Sequence, residues 1–316
     1  MKKFNRSFLQ NKIIDIHTHS MGIDLHNLHS GDYPVTQNVL DLSNLVAENG
    51  IDYAVSFPMP TTVYYNPKSI RNKGLFEESG FSDYPYQYEN YALCNIIEQL
   101  QLSNIIPFVS VSTQAKLQEQ VESIYKLNEK FSVYGIKYHA SAERMSVVDR
   151  SFEPFAKLAA DLNVPILVHA SLSSNAHPDN VLSLAQSYPS VRLCIAHCAR
   201  FHKPTLDKIK FEKMKNIFVD TAPFVRLCNM SLENLNKNSN EVLELDYGNP
   251  YTALRELVEY LPHNIVWGTD TPWNNHINAV GNVVTYSDEA SVLKTLNPKN
   301  INNIMENQLN FLFGTP

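Results

Sequence analysis

The chain has 316 residues, of which 44% are hydrophobic and 18% charged, with a formal net charge of −6. These values are typical of a globular protein that buries a substantial core, and the negative charge argues against a nucleic-acid partner. No uninterrupted apolar stretch reaches the roughly 18 residues of a membrane span. The first residues lack the apolar core of a signal peptide, so we expect a cytoplasmic protein.

Short apolar runs recur along the chain, and stretches with helical spacing lie between them. Several runs are rich in Val and Ile without alternating polar residues, which favours parallel strands covered on both faces. The predicted strands are Lys12–His17, Tyr53–Phe57, Ile105–Val111, Tyr134–His139, Pro165–His169, Arg192–His197, Ile217–Asp220 and Asn264–Gly268.

This alternation predicts an α/β fold, a (β/α)8 TIM barrel that forms a single domain over residues 1–316 with long rim loops. A doubly wound sheet is the alternative, since counting strands does not show that a sheet closes. Two connections, Pro58 to Tyr88 and Ala222 to Tyr251, exceed ordinary loop lengths and follow strands. We expect the aromatic-rich segment Thr61–Tyr88 to cover the active end of the barrel.

The four cysteines lie in apolar contexts without the spacing of a disulfide framework. Cys194 and Cys198 flank His197 as in a zinc ribbon, but no second cysteine pair completes one. We therefore expect buried, reduced thiols at Cys94, Cys194, Cys198 and Cys228.

The stretch IIDIHTHS places His17 and His19 two residues apart where an apolar run ends. Residues i and i+2 of a strand point to the same face, so the two imidazoles should lie side by side. Such a pair is costly to bury unless it binds something, and a metal ion is the obvious candidate.

Other strand ends carry residues suited to the same chemistry. Because the carboxyl ends of barrel strands meet at one rim, we expect their side chains to converge there. The further strand-end residues are Lys137, His139, His169, His197 and Asp270.

In this order, DIHTHS, GIKYHA, VPILVHA, VRLCIAHCAR, NIFVDTAPF and IVWGTDTPW resemble the motifs of the amidohydrolase superfamily. The resemblance extends over almost the whole chain and is greatest to the branch that contains small-molecule hydrolases, lactonases and non-oxidative decarboxylases. It implies a metal-dependent (β/α)8 barrel.

The resemblance also implies roles for the strand-end residues. His17, His19, His169 and Asp270 would bind a divalent metal, which we expect to be Zn, with Mn or Fe as alternatives. One ion is favoured over two. Asp270 would also accept a proton, and His197 would bind a second metal or act as the catalytic imidazole.

Lys137 has three interpretations that the sequence leaves open. In binuclear relatives a lysine at this strand is carboxylated and bridges two metals, whereas in mononuclear ones it binds substrate or stabilises the site, beside His139. A purely structural lysine would hold a carboxylate such as Asp15 or Asp220.

Arg226 is the candidate for binding a substrate carboxylate, because a guanidinium binds that group with two hydrogen bonds. Its rivals are Arg71, Lys73 and Arg200. Among the other histidines, those that could reach the mouth of the site are His26, His29, His177 and His276.

Three functions remain open at this point. The leading hypothesis is metal-dependent hydrolysis of an amide, ester or lactone in a small molecule that could itself carry a carboxylate. The second is metal-dependent non-oxidative decarboxylation of an aromatic or enoic acid, and the third is a non-catalytic metal-binding barrel. We expect a small-molecule substrate, no nucleic-acid or membrane partner, and leave a homodimer open.

Overall fold

The computed structural model describes residues 3–22, 36–60, 84–234, 239–275 and 284–315. Within them, nine parallel strand segments form two hydrogen-bonded groups, ordered β1-β2-β3 and β4 to β9. The segments are β1 (Ile14–His19), β2 (Tyr53–Phe57), β3 (Ile105–Pro107), β4 (Val109–Val111), β5 (Ile136–Tyr138), β6 (Ile166–Val168), β7 (Leu193–Ile195), β8 (Ile217–Asp220) and β9 (Ile265–Val266).

The two groups join into one ring of eight barrel strands, because β3 and β4 are halves of a single strand. Phe108, between these halves, donates its N–H to Ser56 of β2 (2.9 Å). At the other junction, Ile16 N–H donates to the Trp267 carbonyl (3.1 Å), and His19 N–H donates to the Thr271 carbonyl (2.8 Å). The predicted (β/α)8 barrel is therefore confirmed over the doubly wound alternative.

Helices alternate with the strands and cover the outside of the ring. The stretches with helical spacing between the predicted strands form helices. The described helices are α1 (Arg6–Leu9), α2 (Val39–Glu48), α3 (Gln87–Gln99), α4 (Leu117–Phe131), α5 (Ala140–Glu143), α6 (Glu153–Leu162), α7 (Pro178–Ser187), α8 (Lys203–Glu212), α9 (Phe224–Asn234), α10 (Pro250–Tyr260), α11 (Tyr286–Lys294) and α12 (Pro298–Phe313). In the described part of the chain, no helix is long and apolar enough to cross a membrane.

The core has two layers. One layer lies between the strands and the surrounding helices, and the other fills the inside of the barrel. Phe218 and Phe311 belong to the inner layer, so α12 closes the end of the barrel opposite the strand tips. All four cysteines are buried and unpaired, as expected from their context.

The end of α8 offers a test of backbone strain. Lys213 follows the helix in the left-handed conformation (φ 52°, ψ 47°) with an exposed side chain. Glycine adopts this conformation without the Cβ penalty of about 1 kcal/mol. Lys213→Gly should therefore raise the melting temperature by roughly 1–3 °C.

The control is Lys126→Gly, at an exposed position inside α4. There glycine should lower the free energy of unfolding by about 1 kcal/mol. A lower melting temperature in both variants, measured by calorimetry, would contradict the strain at Lys213.

Candidate active site

Two consecutive residues of β1, Ile16 and His17, both point into the barrel. The pairing with β2 slips here: Asp15 lies opposite Ala54, whereas Thr18 lies opposite Ser56. Two residues therefore face one, which is a β-bulge, a device that redirects side chains. Ile16 remains in the inner core while His17 joins the polar groups above it.

Gly268 allows β9 to pass close to this bulge. A Cβ placed on Gly268 would lie 2.8 Å from the His17 Cβ and 3.1 Å from the His17 backbone nitrogen. No side chain fits in that space without displacing β1. The glycine of the WGTD motif thus brings Asp270, two residues further on, against the histidines.

His17 is held in one orientation by Asp220. Its Nδ1 lies 2.7 Å from Asp220 Oδ2, and both side chains are fully buried. Burial alone would raise the pKa of Asp220, but the His17 charge and hydrogen bond lower it below its usual value. Asp220 therefore accepts a hydrogen bond from the Nδ1–H of His17, which turns Nε2 towards the site.

His17 Nε2 is one of three potential ligand atoms that converge here. Asp270 Oδ1 lies 3.2 Å from His17 Nε2 and 3.2 Å from His19 Nε2. One nitrogen or oxygen from each of the three residues lies within 4.8 Å of the others. Burial lowers the pKa of His19 to about 4, so its imidazole is neutral at pH 7. Two imidazoles and a carboxylate so arranged suit a divalent metal.

Lys137, from β5, contacts the same cluster. Its Nζ lies 3.0 Å from His17 Nε2 and 4.8 Å from the centre of the Phe57 ring. Burial lowers the pKa of Lys137 to about 8. The structural interpretation had it paired with Asp15 or Asp220, but its nearest polar contact is instead a candidate ligand.

Asp15 links β1 to the segment that follows β9. It accepts hydrogen bonds from the backbone N–H of His17 (3.1 Å) and from the hydroxyl of Thr269 (2.7 Å). It thereby ties the histidine motif of β1 to the segment that carries Asp270. Burial raises the pKa of Asp15 to about 7.

His139, His169 and His197 form a second group of imidazoles. His169 Nδ1 lies 2.9 Å from His197 Nε2, and the rings of His139 and His169 stack with centres 3.8 Å apart. His169 thus lies on the cavity wall beside His197, outside the compact group of His17, His19 and Asp270.

The tautomer of His197 follows from its backbone contact. Nδ1 lies 2.6 Å from the Ala222 carbonyl and must donate a proton to it, so Nε2 is an acceptor. Burial lowers the pKa of His197 to about 4, which keeps the ring neutral. A neutral ring in this orientation can receive a proton but cannot donate one from Nε2.

The chain after His197 forms a left-handed 3₁₀ turn. All five residues His197–Phe201 have positive φ, between 49° and 62°, although none is glycine. Residues i and i+3 of a 3₁₀ helix lie above one another, so His197 and Arg200 project to the same side. Both line one cavity.

This cavity has a volume of about 440 Å³ and opens from the candidate metal cluster to the rim. Arg200 and Arg226 bring two guanidinium groups into it, and Arg226 Nη1 donates to the Trp273 carbonyl (2.7 Å). Burial, and then the charge of Arg226, lower the pKa of Arg200. The remaining lining includes His19, His139, His169, Asp270, Leu172, Leu227, Met230 and Trp273.

Several residues considered from the sequence lie elsewhere. His177 caps α7 and contacts the ring of His202, with centres 4.8 Å apart. The candidates His26, His29, Arg71, Lys73 and His276 lie outside the described residues, as does the segment 61–83 of the expected lid.

Asp220 is the site residue whose role sequence reasoning missed. It was considered only as a partner for Lys137, whereas it holds His17 and also accepts the backbone N–H of His197 (2.8 Å). The available signal was its place at the end of a predicted strand, which it shares with the histidines.

The fold and this cluster define an α/β-barrel protein with a candidate metal site at the carboxyl ends of its strands. The chain belongs to the amidohydrolase family: residues 14–290 match the Amidohydro_2 family model, described as amidohydrolase. No curated protein matches it in sequence.

Solved structures of similar fold include a probable 2-pyrone-4,6-dicarboxylic acid hydrolase from Acinetobacter baumannii with bound citric acid. It is 16% identical, the match covers 96% of this chain and 100% of that one, and the TM-score is 0.58. The 5-carboxyvanillate decarboxylase from Sphingomonas paucimobilis is 9% identical. The match covers 95% of this chain and 98% of that one, with a TM-score of 0.60.

A dihydroxybenzoic acid decarboxylase from Polaromonas sp. JS666, with bound manganese and the inhibitor 2-nitroresorcinol, is 11% identical. The match covers 96% of this chain and 97% of that one, with a TM-score of 0.59. At such identities these likenesses show a shared fold. The neighbours named here are hydrolases and decarboxylases.

Proposed function

We propose that the protein is a metal-dependent hydrolase of an amide, ester or lactone in a small carboxylated molecule. The observation that carries this proposal is one cavity with His19 and Asp270 at one end and two guanidinium groups on its wall. The first pair belongs to the candidate metal cluster, and the guanidiniums are suited to hold an anionic substrate beside it.

His17, His19 and Asp270 would hold the metal, with His169 as the further candidate ligand. A divalent ion such as zinc, when bound, lowers the pKa of a water ligand towards about 7 and polarises a carbonyl group. The neutral imidazole of His19 and the orientation that Asp220 gives His17 fit this role. Zinc, manganese and iron all accept this donor set, and we favour one zinc ion.

Asp270 is proposed as the base that takes the proton of the attacking water and transfers it to the leaving group. The carboxylate stays ionised: burial would raise the pKa of Asp270, but His17 and His19 lower it well below its usual value. His197, whose Nε2 accepts and lies 2.9 Å from His169 Nδ1, is proposed to orient the ring of His169 beside the metal cluster. This role differs from polarisation of a carbonyl, which would need a protonated ring.

Arg226 and Arg200 are proposed to bind the substrate carboxylate. Arg226→Gln should lower kcat/KM for a carboxylated substrate by roughly 10–100-fold, the effect of losing a charged hydrogen bond. The same variant should leave an uncharged analogue nearly unaffected. Arg255→Gln, at an exposed position on α10, is the matched control. An equal loss on both substrates would remove Arg226 from carboxylate binding.

Decarboxylation of an aromatic or enoic acid is the second candidate, supported by the decarboxylases among the similar structures. The test is to load the purified protein with zinc or manganese and supply lactones, amides, esters and benzoate-type acids. Formation of a new carboxylate together with an alcohol or amine, without carbon dioxide, supports hydrolysis, whereas carbon dioxide release supports decarboxylation. Metal binding without turnover of any class would favour the non-catalytic alternative.

A further inference from the structure

Glu289, on α11, is a fully buried acid outside the catalytic cluster. Both of its carboxylate oxygens accept the backbone N–H of Val225, at 3.0 and 3.2 Å. The neighbouring N–H groups of Phe224 and Arg226 also donate to it. These are the first three residues of α9.

The first N–H groups of a helix have no partner within the helix, and they carry its partial positive charge. The oxygens of a carboxyl group satisfy these donors by accepting their hydrogen bonds. In α9 the carboxylate comes from another helix rather than from a residue just before α9. Its position therefore fixes where α9 begins relative to α11.

The chain at this point carries three groups of the candidate site. Arg226 and Leu227 line the cavity on the first turn of α9. The carbonyl of Ala222, two residues before α9, accepts the proton of His197 Nδ1. A shift of residues 222–227 would therefore move the guanidinium of Arg226. It would also break the contact from Ala222 that fixes the tautomer of His197.

We propose that Glu289 is a positioning residue that holds residues 222–227 so that Arg226 faces the substrate and Ala222 orients His197. Within this inference, only the role of Arg226 rests on the proposed function. Burial raises the pKa of Glu289 to about 8, and the hydrogen bonds from the three N–H groups act in the opposite direction, so Glu289 holds α9 through hydrogen bonds to its oxygens.

The test uses Glu289→Gln, which keeps the size but turns an N–H₂ group towards backbone N–H donors. The matched control is Asp288→Asn, which weakens the capping box of the same helix at an exposed carboxylate that bonds to Thr285. Hydrogen exchange of the amides 224–227 and the rate at which phenylglyoxal modifies Arg226 are measured by mass spectrometry. Exposed Arg255 is the internal reference.

In Glu289→Gln we expect exchange of these amides and modification of Arg226 to rise at least tenfold, with Arg255 unchanged. Asp288→Asn should change neither by more than about twofold. Equal changes in both variants would mean that general loss of stability is responsible, and would overturn the proposal.

The wild-type protein supplies a test that does not depend on the variant folding. Its amides 224–227 should exchange at least tenfold more slowly than those at the start of α2, which an exposed Asn38 caps. Fast exchange at 224–227 would overturn the proposal. Because these measurements need neither metal nor turnover, their failure is distinct from failure of the hydrolase assignment.

Discussion

Asp270→Asn is expected to retain much of the bound metal and to lose kcat by about 10²–10⁴-fold, the usual contribution of positioned acid–base catalysis. The substitution keeps the size of the side chain and one weak oxygen ligand but removes the basicity. In the structure this carboxylate lies 3.2 Å from the Nε2 atoms of both His17 and His19. It is therefore placed both to bind metal and to receive a proton.

Metal content and kcat must be measured on the same preparation, once the substrate screen has found a substrate. Asp246→Asn, at an exposed loop position, is the control and should behave as wild type. Activity lost only in proportion to metal would show that Asp270 is a ligand and not a base. Near wild-type turnover with full metal would place the chemistry elsewhere, with His197 as the first alternative.

The double variant His17→Ala/His19→Ala should lower metal affinity by well over 100-fold, because it removes two of the three converging ligands. Losing a residue that only orients a ligand costs about 10–100-fold. Asp220→Asn keeps all three converging ligands and disturbs the orientation of His17 and the backbone at His197, so its loss should fall within that smaller range.

Elemental analysis after dialysis and titration with zinc measure both effects, with His263→Ala at an exposed position as the control. Unchanged metal content in the double variant would refute the assignment of the site. Equal losses in the double variant and in Asp220→Asn would mean that the cluster collapses as a unit.

Much of the barrel could be predicted because its strands are buried on both faces and their apolar runs are continuous. Convergence of the strand-end residues followed from topology alone, and His19, His169, His197 and Asp270 do share one cavity. The closing hydrogen bonds between β1 and the segment after β9 could not be predicted, since they depend on three-dimensional curvature.

The sequence also could not show how the side chains of the site are oriented relative to one another. The bulge in β1 changes which side chains face inward, and period-two reasoning assumes that no residue is inserted. The bond from Asp220 to His17 spans 203 residues, so no local pattern indicates it. The tautomer of His197 depends on a backbone carbonyl. Every residue type has one, so the sequence gives no signal for this contact.

The left-handed turn His197–Phe201 has a consequence for altering substrate preference. Glycine would remove the backbone penalty at position 200, about 1 kcal/mol or more, but would leave the cavity without that side chain. Because the turn already supports non-glycine residues, position 200 is a site where side chains can be exchanged on an unchanged backbone. A library at this one codon would sample cavity charge and size while His197, three residues earlier, stays in place.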